Sequence, residues 1–208
     1  MKILFFGDSI TDARRARESD FNDRFGSGYV MQVAGELFLE NPVKYEIINR
    51  GIGGERIVDL YARVKKDVWN EKPDVLTILE GVNDISHEVW EQNGVETERW
   101  ERTYRTLLEE TLERLPGVKI IIGEPFVFEG EISNKDFAEY TKIRERAQIL
   151  KKIAKEMQLH YLPLQNVLDE KVERYGVEVV TKDGLHPTVY ASKIIAEEWL
   201  KLFYAEIV

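Results

Sequence analysis

Five short, almost continuously apolar runs, each separated from the next by a longer stretch of helical period, leave few folds open to this chain. The runs lie at residues 3–6, 45–48, 75–79, 119–122 and 159–162. Apolar runs of that length without polar alternation suit parallel strands covered on both faces. Candidate helices lie at about 29–40, 57–70, 98–114, 137–157 and 188–204. In the first, Val30, Val33, Ala34, Leu37 and Phe38 form a one-sided stripe; Ile143, Ala147, Leu150 and Ala154 do so in the fourth. Strand–helix alternation repeated five times predicts an α/β chain, a three-layer α/β/α sandwich with right-handed crossovers. The 208 residues hold no repeat, linker or low-complexity tract, so one domain over 1–208 is expected. In such sheets the functional crevice lies beyond the carboxyl ends of the strands.

Composition removes several classes of function. Cysteine is absent, which excludes disulfides, thiolate metal sites and a cysteine nucleophile. A net charge of −9 argues against nucleic-acid and anionic-membrane partners, which need a cationic surface. No segment approaches the ~20 apolar residues of a membrane span. The apolar run at 3–6 is too short for a signal-peptide core and Asp8 follows closely, so a cytoplasmic location is expected. No metal or cofactor is expected. A set of His87, His186, Asp84 and Asp183 can be assembled on paper, but no His-x-x-x-His or clustered carboxylate pattern supports it. Gly51-Ile52-Gly53-Gly54 falls short of a dinucleotide fingerprint and there is no Walker loop, which disfavours a nucleotide binder. The Gly-x-Ser-x-Gly elbow of α/β-hydrolases is also missing.

What remains at the expected strand ends is chemistry for acyl transfer. The first run leads into Gly7-Asp8-Ser9-Ile10-Thr11, the second into Asn49-Arg50-Gly51-Ile52-Gly53-Gly54, and the third into Gly81-Val82-Asn83-Asp84. Asp183-Gly184-Leu185-His186-Pro187 precedes the last helix and can return over the same edge. A serine hydroxyl attacks only if a base takes its proton, and a histidine titrating near neutrality suits that task. Asp183 stands three residues before His186, so one turn can set its carboxylate against the imidazole and fix the tautomer. Donors for an oxyanion are the Ser9 N–H, the Gly54 N–H and the Asn83 amide. Each stretch alone reads as an ordinary turn. All four in one order at one sheet edge read as a site.

With these four blocks the sequence resembles the SGNH hydrolases, the GDSL-type esterases and lipases. Their Ser, Gly, Asn and His would be Ser9, Gly54, Asn83 and His186, with Asp183 as the histidine's partner. The resemblance implies a flavodoxin-like parallel sheet of order 2-1-3-4-5. The chain looks closest to the intracellular acetylxylan-esterase-like branch, through Asp8-Ser9-Ile10-Thr11-Asp12, the arginines Arg14 to Arg17, Gly26-Ser27-Gly28-Tyr29-Val30 and Pro125-Phe126. One departure is Gly53-Gly54-Glu55, where family members often have Ser-Gly followed by Asp or Asn. The implied activity is hydrolysis of short-chain carboxylic esters, acetyl groups on sugars or oligosaccharides, through an acyl-enzyme on Ser9. Alternatives are a lysophospholipase or thioesterase of the same family, or a non-catalytic carbohydrate-binding relative.

Other residues carry two readings. Tyr29, Trp90, Phe126 and Leu185 are candidates for the substrate pocket. Arg14, Arg15 and Arg17 form a solvated cationic face or contact a polar or anionic substrate. Among the three histidines, His160 reads as a core or strand-end residue, and His87 as a surface helix residue or part of the pocket rim. Asp84 with Glu124 offers the paired carboxylates of a glycosidase, a lesser alternative. The aromatics are compatible with a homo-oligomer.

Overall fold

The first apolar run becomes an inner strand of the sheet. The computed structural model describes residues 1–18 and 21–208. In it β1 (Lys2–Gly7) pairs on one side with β2 (Glu46–Gly51) and on the other with β3 (Val75–Leu79), followed by β4 (Lys119–Gly123) and β5 (His160–Leu162). Every pairing is parallel and the order is 2-1-3-4-5, as the resemblance implied. The helices in chain order are α1 (Ser9–Asp12), α2 (Tyr29–Glu40), α3 (Ile57–Val64), α4 (Asn83–Glu91), α5 (Thr97–Arg114), α6 (Phe137–Tyr140), α7 (Lys142–Glu156), α8 (Gln165–Tyr175), α9 (Val177–Val180) and α10 (Val189–Leu202).

Alternation along β1 divides the core in two. Ile3 and Phe5 face α2 and α10, while Leu4 and Phe6 face α3, α5 and α7. On the first side Trp199 of α10 packs 5.2 Å from the Phe5 ring and donates its indole N–H to Thr77 Oγ1 at 2.9 Å. That bond satisfies a buried polar atom on each partner. Truncating Phe5, wholly buried here, costs about 3–5 kcal/mol by the usual scale for large aromatic-to-alanine changes.

Several boundaries differ from expectation for local reasons. β2 continues through the polar residues Asn49 and Arg50, because Asn49 turns inward and donates to the carbonyls of Thr11 and Phe25 at 2.7 and 2.9 Å. The segment 137–157 is two helices, and Asp136 caps the first through Glu139 N–H. Segment 57–70 turns π-helical after Val64, over Lys65–Trp69. The helix α4 is not among those read from periodicity: it buries only Asp84 and Ile85 and so has no apolar stripe to read. Among the described residues no helix is long and apolar enough to cross a membrane.

Candidate active site

The register lines up the strand ends that matter. Gly7 lies opposite both Gly51 and Leu79, and Leu79 opposite Gly123, so the segments after β1, β2 and β3 leave the sheet side by side. Ser9 opens α1. The buried Asp8 carboxylate caps that short helix by accepting Ile10 N–H at 2.9 Å. An ideal Cβ built on Gly53 would stand 3.6 Å from Ser9 Cβ, so the β2 loop passes directly over the serine.

His186 arrives from the far end of the chain on a loop closed by a bridge between Thr181 and Pro187. The segment after β4 holds that loop down: Phe128 N–H donates to Gly184 O and Ile132 N–H to Asp183 O, both at 2.9 Å. Gly184 has φ +94°, and a Cβ there would meet Ser133 Oγ at 2.1 Å, so only glycine fits. Inside the loop, Asp183 Oδ1 accepts the N–H groups of Leu185 and His186 at 2.9 and 2.8 Å. Its Oδ2 lies 2.6 Å from His186 Nδ1, and His186 Nε2 lies 2.8 Å from Ser9 Oγ.

These distances fix the protons. Burial alone would raise the Asp183 carboxyl, but hydrogen bonds from the His186 ring, His186 N–H and Leu185 N–H outweigh it and hold it well below the usual carboxylate range. Asp183 is therefore an acceptor only, Nδ1 carries the hydrogen, and Nε2 presents its lone pair to the Ser9 hydroxyl. The bond to Asp183 raises the His186 pKa above its ordinary value, against the opposing effect of burial. Burial pushes the nearby Asp8 carboxyl up to about 7.

The donors form a second connected unit. Asn83 Nδ2 spends one hydrogen on Glu55 O at 3.0 Å, which ties the β3 loop to the β2 loop and leaves its second hydrogen free for a ligand. Gly54 has φ +85°. Its carbonyl lies 2.9 Å from His87 Nε2, and since a carbonyl only accepts, Nε2 is the donor. Asp12 Oδ2 accepts Gly53 N–H at 3.0 Å. His87 and Asp12 thus fix the peptides on either side of the Gly54 N–H. By sequence, His87 reads as a surface helix residue or part of the pocket rim, and neither residue is assigned this role. His87 is one helical turn after Asn83 and would fall on its face once α4 is known.

The cavity above Ser9 has a volume of about 470 Å³ and is bordered by Ser9, His186, Asp12, Arg14, Ser27 and Val189, among others. None of the four anticipated pocket residues borders it, and each has a different place. Tyr29 is buried on α2 with its hydroxyl 3.1 Å from Thr11 Oγ1. Phe126 packs in the core beside Phe128. Leu185 is the apolar anchor of the histidine loop, buried with Val82, Ile85 and Val127. Trp90 is exposed but turns to Tyr140, donating to its hydroxyl at 3.1 Å, with the Lys135 ammonium 3.6 Å from its ring centre. His160 pairs with Glu206 at 2.7 Å, at the start of β5. The two carboxylates of the glycosidase pairing serve helix ends, Asp84 accepting Ile57 N–H at the start of α3 and Glu124 accepting Leu164 and Gln165 N–H at the start of α8, and they border separate cavities, neither of them the one above Ser9.

Comparison with known proteins gives the family and the fold. The model of the GDSL-like Lipase/Acylhydrolase family matches residues 5–194. An acetylxylan esterase of Geobacillus stearothermophilus is 32% identical, the match covering 96% of this chain and 92% of that protein. A solved structure of an acetylxylan esterase from that organism, Axe2, superposes with TM-score 0.85 at 31% identity, covering 96% of this chain and 92% of the other. Two structures of Axe2 are described as catalytic mutants, one with a serine and one with a histidine replaced by alanine. A protein of Parabacteroides merdae described as a GDSL-like lipase superposes with TM-score 0.87 at 34% identity, covering 96% and 94% of the two chains.

Proposed function

The chain belongs to the GDSL-like lipase/acylhydrolase family and is a carboxylic ester hydrolase, and from that premise we propose that Ser9 is its nucleophile. The observation that carries the reading is the chain of contacts from Ser9 Oγ through the His186 ring to Asp183, at 2.8 and 2.6 Å.

Ser9 Oγ attacks the ester carbonyl while His186 Nε2 takes its proton. Charge builds on the carbonyl oxygen, and the N–H groups of Ser9 and Gly54 with the free hydrogen of Asn83 Nδ2 receive it. The imidazolium, steadied by Asp183, returns its proton to the departing alkoxide. Acyl-Ser9 and the free alcohol result. A water then attacks the acyl-enzyme with His186 again as base, releasing the carboxylic acid and restoring the Ser9 hydroxyl. No external oxidant or cofactor enters the balance. That the Axe2 variants called catalytic replace a serine and a histidine supports these two roles.

The substrate we propose is an acetylated sugar or oligosaccharide. The acetylxylan esterase relative supports it, as does a cavity whose border includes Asp12, Arg14 and Ser27 rather than a continuous apolar groove. Long acyl chains, as in lysophospholipids, need such a groove. A rate panel tests this. Acetyl esters of p-nitrophenol are expected to turn over faster than octanoyl esters, and acetylated xylo-oligosaccharides to be deacetylated. Octanoyl esters outrunning acetyl esters would overturn the short-acyl reading.

A further inference from the structure

Four charged or chargeable side chains border the cavity above Ser9, and the proposed reaction uses or pairs three of them. Asp183 and His186 hold each other. Asp12 accepts Gly53 N–H, and its other oxygen lies 3.8 Å from Arg15 Nε. The fourth is Arg14. It is exposed, borders the same cavity as Ser9, and has no hydrogen-bond or ion-pair partner among the described residues.

Its placement is unusual in the backbone as well. Ala13 and Arg14 have φ of 41° and 61°, two successive side-chain-bearing residues in the left-handed region, which L-residues adopt at a cost. The turn is nonetheless firmly held. Ala13 N–H donates to Ser9 O at 2.9 Å, and Arg15 N–H to Asp12 O at 2.9 Å. Ala13 O accepts both the N–H and the hydroxyl of Ser27, at 2.9 and 3.1 Å. Gly28 lies so near that a Cβ on it would stand 2.7 Å from Ala13 Cβ. A strained conformation that its surroundings over-determine is a marker of a functional turn. What this turn delivers to the crevice is a free guanidinium.

We propose that Arg14 is a specificity-determining residue that receives a carboxylate on the alcohol portion of the substrate, so that the preferred ester is an acetylated sugar acid. The proposal rests on the esterase reading of Ser9 and His186. The acetyl group ends in a methyl and offers no charge, so the anion belongs to the alcohol side. A guanidinium matches a carboxylate through two parallel N–H···O bonds. One free positive charge suits one negative charge better than the double charge of a phosphate monoester.

The test compares kcat/KM for an acetylated methyl glucuronide with that for its carboxamide, which keeps shape and removes charge. The expected preference for the carboxylate is about tenfold, the scale of a hydrogen bond to a charged group, and it shrinks as salt is added. In Arg14→Gln the ratio falls to about one; in Arg14→Lys part of it survives, since charge remains without the planar fork. An NMR titration of both wild type and Arg14→Gln with the deacetylated methyl glucuronide reads the contact without turnover, weaker binding to the variant being expected. Failure of the esterase reading would appear separately, as no turnover of any acetyl ester while this binding difference persists. Equal rates on the two wild-type substrates, a preference that survives Arg14→Gln, or a greater preference for an acetylated sugar phosphate would overturn the proposal.

Discussion

Asp183 and Glu80 are both carboxylates close to the crevice, and their surroundings make them opposite kinds of group. Asp183 is partly exposed and gathers the His186 ring, two backbone N–H groups and a Thr181 hydroxyl contact at 3.1 Å. Glu80 follows β3, is 1% exposed, and faces the Asp84 carboxyl, while no N–H donor of the described residues reaches either of its oxygens. Tyr104 Oη, Trp100 Nε1 and Arg146 Nε and Nη1 are also buried and unpartnered there. Arg146 reaches out of this cluster through Nη2, to Val95 O at 2.5 Å. Burial, and then the charge of Asp84, push Glu80 well above the usual range, whereas bonds hold Asp183 below it. A carboxylate becomes a fixed anion through the donors it collects. Nearness to the crevice is not enough.

The sharpest way to break this contrast is Asp183→Asn. The account expects kcat to fall by about 10⁴, the scale for a triad carboxylate made an amide. The acid limb of the rate profile is expected to move as well. Activity needs neutral His186, so in the wild type it falls as pH drops through a value above the ordinary 6.5. Removing the bond that raises that value shifts the limb to lower pH. An unchanged limb in pH–rate measurements would remove Asp183 as the orienting partner. A smaller effect is expected from Asn83→Ala, a loss of about 10²–10³ in kcat for one oxyanion donor. A change confined to KM would contradict that role.

Glu80→Gln tests the other half and moves turnover least. The folded wild type keeps the Glu80 proton above pH 4.5, where the unfolded chain has released it. Folded protein then binds more protons than unfolded, so stability declines as pH rises through that range. Glutamine carries no such proton. Urea melts from pH 5 upward are expected to show a flatter stability–pH curve for the variant, with esterase rates unchanged. Parallel curves would place Glu80 among ordinary surface-like carboxylates.

The alternation of apolar runs and helical stripes was enough to read the sheet and the edge where chemistry belongs, because strands buried on both faces must be apolar along their length. Ser9, Asp183 and His186 were legible as a set because one follows the first strand and the others precede the last helix, and the fold brings them within hydrogen-bond reach; Gly54 and Asn83 follow neighbouring strands whose ends the register sets side by side. Orientation was not legible. Tyr29, Phe126 and Leu185 read as pocket candidates in the sequence, yet their side chains point into the core, where burying an aromatic or aliphatic group gains most. The role of His87 in holding the Gly54 peptide was not legible because α4 has almost no apolar face to fix its orientation. The carbonyl it holds belongs to a loop 33 residues away, a pairing that only the fold supplies.

Activation of the Ser9 hydroxyl by His186 is read out by mass spectrometry of the protein after treatment with a fluorophosphonate. The account predicts one phosphonyl adduct, located on the peptide that contains Ser9 and lost in His186→Ala. An unmodified Ser9 in the folded wild type, or labelling of equal extent in His186→Ala, would contradict it.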